Sequence, residues 1–213
     1  LGASTFIVGL IEGLGEATAQ ISKLFSGVLS DRTGKRKPLA VLGYGLSAVT
    51  KPLFALAGGA GAVLTARLAD RVGKGIRGAP RDALVADMVP EAQRGAAYGL
   101  RQSMDTVGAL LGPVLAMALM ALTGDVRTVF WLAILPAMVA VAVLVIYVRE
   151  PETASPPKAR VALTRASLVA LGRPFWGVVL LGAVLTLARV SEAFLILKAG
   201  DVGLQIGMAP VVL

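Results

Sequence analysis

The charged residues of this chain stand in unusual places. Glu12 and Glu16 are one helical turn apart inside an apolar run, so a helix would carry both on one face. Lys51 interrupts a second run, and Arg67, Asp70, Arg71 and Lys74 crowd a third. Arg101 and Asp105 lie one turn apart in a fourth, and Arg189 and Glu192 are three residues apart further on. The chain has no His and no Cys. Disulfides and thiolate metal sites are therefore excluded, and any proton relay falls to carboxylates. A carboxylate in low dielectric holds its proton tightly until a cation stands beside it. Acidic groups interleaved with Arg and Lys are thus suited to exchanging protons as their partners come and go. No phosphate-cradling G-x-x-x-x-G-K-[ST] loop is present, and Ser30, Ser103 and Ser191 stand in no nucleophile motif. The residues favour neither an ATP site nor an enzyme, and they imply no cofactor and no metal.

Such charges need an apolar scaffold around them. Of the 213 residues, 56% are hydrophobic, 16% charged and 5% aromatic. A soluble domain of this size could not hide that much apolar surface. Its small residues suit helices that pack closely in lipid. A hydrocarbon core of about 30 Å calls for roughly 20 apolar residues per span. Six such runs are present: Thr5–Val28, Leu39–Leu56, Ala62–Ala79, Ala96–Leu122, Val129–Val148 and Phe175–Leu197. A seventh starts near Val202. Lipid offers no partner for an open backbone, so each span is expected to be helical. The fold class is all-α, a polytopic transmembrane helix bundle.

The formal net charge is +8. The cations gather in alternate loops, Asp31–Lys37, Arg81–Arg94 and Arg149–Arg173, while Gly58–Gly61 has no charge and Thr123–Thr128 has only Arg127 as a cation. That asymmetry places the basic loops in the cytoplasm. The expected partner is therefore the lipid bilayer, not nucleic acid. Trp131 and Trp176 sit near span ends, as interfacial anchors do. Glu150–Lys158, EPETASPPK, reads as a linker, and Val161–Gly172 as a segment lying along the membrane surface. A short echo joins Leu29–Lys35, LSDRTGK, to Leu68–Lys74, LADRVGK.

Gly27–Lys37, GVLSDRTGKRK, resembles the G-x-L-x-D-R-x-G-R-[KR] loop of the major facilitator superfamily, through Gly27, Leu29, Asp31, Arg32, Gly34 and Arg36, with Lys35 replacing the first basic Arg. Arg71–Ala79, RVGKGIRGA, resembles the fourth-helix pattern R-x-x-x-G-x-G-x-A, with Arg77 in place of a Gly. Asp87–Gly95, DMVPEAQRG, resembles the D-x-x-P-x-x-x-R-G loop, bringing in Asp87 and Arg94. Gly108–Pro113, GALLGP, resembles the start of the fifth-helix motif of proton antiporters, which then departs at Ala116 and Met117.

The resemblance implies an incomplete bundle holding helices two to seven and the start of eight. Residues 1–149 would be the rest of an N-terminal six-helix lobe without its first helix. Residues 150–172 would be the cytoplasmic join between lobes, and 173–213 the start of the second lobe. It further implies a monomer in the bacterial cytoplasmic membrane, moving a small solute by alternating access, with protons as coupling ions and efflux favoured. Uptake of an anionic or zwitterionic solute, and a non-transporting sensor or assembly partner, are the alternatives. A network around Asp31 and Arg32 would lock the outward-facing state. At about 1.5 Å per residue, Asp70 and Asp105 both lie about 14 Å deep. The expectation is one cluster in which Asp70, Arg71 and Lys74 cross-pair with Arg101 and Asp105, with Glu16 and Asp105 as the proton-exchanging groups. Gly108 and Gly112 are expected to bring helices together, and Pro113 to bend the fifth span.

Overall fold

The computed structural model describes residues 4–150, 169–187 and 192–203. They form α1 (Thr5–Thr33), α2 (Arg36–Leu56), α3 (Ala60–Met88), a 3-10 turn at Glu91–Gln93, α4 (Arg94–Thr123), α5 (Val126–Leu132), α6 (Ile134–Tyr147), α7 (Gly172–Leu187) and α8 (Glu192–Asp201). Among the described residues there is no strand. All six expected spans are helical, the sixth where it is described. The fifth is divided at Ala133 into α5 and α6. The linker after Glu150, most of the surface segment, Arg189 and nearly all of the seventh span lie outside the described residues.

Among the described residues four stretches are long and apolar enough to cross a membrane: Arg36–Leu56, Glu91–Thr123, Val126–Tyr147 and Gly172–Asp201, the last helical where it is described. The exceptions, α1 and α3, are also among the longest helices, at 29 residues each. They run about 43 Å apiece and carry the crowded charges. Two boundaries differ from expectation. Asp31–Lys37 reads as a loop, yet α1 runs to Thr33 and α2 starts at Arg36. Arg81–Arg94 reads as a loop, yet α3 continues to Met88. Residues 81–88 contain no Gly or Pro, and Leu84 is buried against the core, so packing extends the helix past Pro80.

The core is built around α3, with α1 on one side and α2 on the other. Close approach depends on residues without a Cβ. A Cβ at Gly43 would fall 2.6 Å from Arg77 N, and one at Gly73 only 2.8 Å from Gly43 O. On the opposite side, a Cβ at Gly75 would fall 2.5 Å from Ala19 O, and buried Ser26 donates from Oγ to Gly75 O at 3.0 Å. Ala40, Ala48, Ala55 and Ala66 fill the remaining contacts. Small residues let dispersion contacts accumulate between backbones, which is the main cohesive force available in lipid. The outer side of α2 packs on α5 and α6, where Phe54 stacks on Phe130 at 5.6 Å. By contrast, α4 contributes no buried residue.

Turn chemistry places the helix ends. Gly34 and Gly124 stop α1 and α4 in the left-handed conformation, at φ 67° and 66°. Asp125 caps α5. The hydroxyl of Thr128 and the backbone N–H groups of Arg127 and Thr128 donate to it, which holds its carboxyl below the usual range.

Candidate functional site

One dense set of charges lies between α1 and α3. Nη2 of Arg67 donates to both oxygens of Glu12, at 2.5 and 2.7 Å. One turn along, Arg71 is 3.4 Å from Glu16 and 4.0 Å from Glu12, and Lys74 is 3.8 Å from Glu16. The result is a ladder in which α3 supplies three cations and α1 two carboxylates. Gly15 lies under it, where a Cβ would sit 3.3 Å from Cγ of Arg71 and 3.5 Å from Cγ of Arg67. Both arginine stems cross α1 at this gap. Gln20 also donates to Glu16, at 2.9 Å. Arg71 is 14% exposed, while Glu16 and Lys74 are about half exposed.

Asp70 points the other way. It accepts from Thr50 Oγ1 at 3.2 Å and from Lys51 Nζ at 3.4 Å, both on α2. Thr50 is fully buried. Successive residues of α3 thus serve opposite faces, Asp70 toward α2 and Arg71 toward α1.

A third group ties α3 to α4. Arg81 lies 3.4 Å from Asp82 and 3.8 Å from Asp105. Arg101 lies 3.8 Å from Asp82 and 2.7 Å from Asp105. Each arginine therefore meets both carboxylates. Tyr98 donates to Asp82 O at 2.9 Å, and Arg81 reaches Tyr44 Oη at 3.4 Å. The guanidinium of Arg77 lies 4.5 Å above the Tyr44 ring. Lys23 of α1 stands 4.0 Å from Asp82.

The fourth group joins the start of α2 to the end of α3. Arg36 pairs with Asp87 and also donates to Ala83 O at 2.8 Å. Glu150 accepts from the backbone N–H groups of Arg36 and Lys37, and Lys37 Nζ donates to Val145 O at 2.8 Å. A carboxylate at a helix N-terminus meets both its open N–H groups and its dipole. Asp31, Arg32 and Lys35 are exposed and make no ion pair among the described residues. Arg94 reaches Ala86 O at 3.3 Å and Glu91 at 3.9 Å. Gly27 lies close to α3, where its Cβ would be 3.3 Å from that of Ala79.

One expectation is corrected, and a second finds no contact among the described residues. The single cluster of Asp70, Arg71, Lys74, Arg101 and Asp105 does not form. Depth alone brought these residues together, but Asp70 faces α2, Arg71 and Lys74 face α1, and Arg101 and Asp105 pair with each other and with Arg81 and Asp82. The second concerns Gly108 and Gly112. Among the described residues no atom lies within 4 Å of a Cβ built at either. The close helix contacts use Gly43, Gly73 and Gly75. Pro113 is carried within α4, which is assigned as one continuous helix. Gly15, Asp82 and Glu150 escaped the sequence reading. The signal for Gly15 was its place beside Glu16 and three residues after Glu12, on the face the charges use.

Comparison with known proteins agrees with the fold. The family model of the Major Facilitator Superfamily matches residues 1–211. The chain is 32% identical over 203 residues to an uncharacterized MFS-type transporter of Methanocaldococcus jannaschii, covering 94% of this chain and 50% of that protein. It is 36% identical over 125 residues to an uncharacterized protein of Mycobacterium tuberculosis, covering 59% of this chain and 31% of that one. It is 31% identical over 131 residues to the multidrug resistance protein MdtH of Yersinia pestis, covering 62% and 32%. The chain thus spans half or less of the length of these relatives. With its membrane-spanning helices and this match over nearly its whole length, the chain belongs to the major facilitator superfamily.

Proposed function

We propose that this chain is part of a proton-coupled secondary transporter that moves a small solute by alternating access, and that it works in export. The observation that carries the proposal is the α1–α3 ladder of Glu12, Glu16, Arg67, Arg71 and Lys74. Ionisable groups are costly inside a membrane, and a helix pair that spends five of them on one face supports a pathway role. Glu16, half exposed, is the carboxylate of the ladder most open to water, and a carboxylate takes up a proton readily only when the cations beside it move away. The likeness to MdtH supports export. The clasp of Arg36 on Asp87 supports a role for this end of the lobe in holding one of the two access states. The proposal places the basic loops in the cytoplasm of a bacterial cell and treats the protein as a monomer.

The test uses the full-length protein in proteoliposomes with a pH dye in the lumen. An imposed proton gradient should drive solute flux, and a solute gradient should move protons. Flux that ignores the proton gradient would defeat the coupling. For orientation, a Cys placed at Thr33 should react with an impermeant maleimide only after cells are opened.

A further inference from the structure

Arg71 is a buried guanidinium with unused donors. It is 14% exposed, and its contacts with Glu16 and Glu12 are long, at 3.4 and 4.0 Å. Among the described residues it makes no hydrogen bond, and its buried Nε has no partner. Arg67 already occupies both oxygens of Glu12. A guanidinium offers five N–H donors in a planar fork, and a buried donor left unmet is costly. Among the described residues the ladder also holds three cations against two carboxylates. Lys74, half exposed, stands beside Arg71 on the open side of the site.

Resting on the transport reading above, we propose that the solute carries a carboxylate, and that Arg71 and Lys74 bind it in competition with Glu16. A carboxylate matches the Arg fork in two parallel hydrogen bonds, and the neighbouring ammonium adds a third. Its charge would balance the ladder. Glu16 is the internal competitor, since it sits against the same two cations. Withdrawing it should therefore tighten binding, whereas withdrawing Arg71 should weaken it.

The experiment measures binding, not flux. Full-length protein purified in detergent is titrated with acetate, benzoate, succinate and glutamate, each beside its uncharged amide, and thermal stability is followed. At least one carboxylate should raise the melting temperature while its amide does not. Arg71→Gln should weaken that binding about ten- to hundred-fold, the scale of lost hydrogen bonds to a charged group. Arg71→Lys, which keeps the charge and lacks the fork, should fall between. Glu16→Gln should bind the carboxylate more tightly than the unmodified protein. The proposal is overturned if no carboxylate separates from its amide, if Arg71→Gln and Arg71→Lys both bind normally, or if Glu16→Gln gains nothing. Selective carboxylate binding by a protein that moves no solute in liposomes would refute the transport reading and leave this site standing.

Discussion

Arg67 of α3 holds Glu12 of α1 through a single nitrogen, which lies 2.5 Å from one carboxylate oxygen and 2.7 Å from the other. The contact sits where the arginine stem crosses the gap left by Gly15. The pair is about three-quarters buried, so neither charge has much water to fall back on. Removing one partner strands the other, which costs more than the intact pair contributes.

Glu12→Gln alone should therefore destabilise the protein by about 1–3 kcal/mol. Glu12→Gln with Arg67→Gln should recover most of that loss. Thermal unfolding in detergent is the measurement. Equal losses in the single and double variants would mean that the pair does not hold α1 to α3.

The glycine contacts give a contrasting series. Gly43→Ala and Gly75→Ala insert a methyl into backbone contacts of 2.6 and 2.5 Å. Each should cost about 1–3 kcal/mol by overpacking. Gly108→Ala and Gly112→Ala meet no atom within 4 Å and should stay within about 0.5 kcal/mol of the parent. Yields and unfolding temperatures of the four variants check the ranking. A loss at Gly108 as large as that at Gly75 would place a close neighbour on the α4 face.

Much of this was legible in the sequence, for identifiable reasons. Long apolar runs fix helix positions because lipid forbids an open backbone, although the first run, read to Val28, continues as helix to Thr33 before Gly34 turns the chain. The pairing of charges was not legible. Asp70 and Arg71 are adjacent, yet successive helical residues are about 100° apart and face different neighbours. Depth says which charges share a level; it does not say which helix stands opposite. Nor does a G-x-x-x-G spacing name the helix that lies against it: among the described residues nothing meets Gly108 or Gly112.

Asp31 and Asp87 should separate stability from cycling. Asp87 is engaged by Arg36, whereas Asp31 is exposed and unpaired among the described residues. Asp87→Asn should lower the unfolding temperature by loosening α2 from α3. Asp31→Asn should leave stability within about 0.5 kcal/mol, as exposed substitutions usually do. It should nevertheless slow solute flux if Asp31 engages a partner in only one access state. Unchanged flux at normal membrane levels would remove Asp31 from the gate.

The last prediction concerns the quartet of Arg81, Asp82, Arg101 and Asp105. It is a main attachment of α4, a helix that buries none of its residues. Each arginine touches both carboxylates, so either Asp can partly replace the other. Asp82→Asn or Asp105→Asn alone should therefore be mild, about 0.2–1 kcal/mol for groups this exposed. Removing both leaves two arginines facing each other with no carboxylate. That double variant should lose more than the sum of the singles, with a coupling of about 0.5–3 kcal/mol. Arg101→Gln with Asp105→Asn also removes two charges, yet it leaves the neutral Arg81–Asp82 pair intact. It should be distinctly milder than the Asp82→Asn, Asp105→Asn double. Two charges are removed in each case, so any difference between them reports the charge left behind. Equal losses in the two doubles would show that the quartet is four independent surface contacts and not a coupled unit.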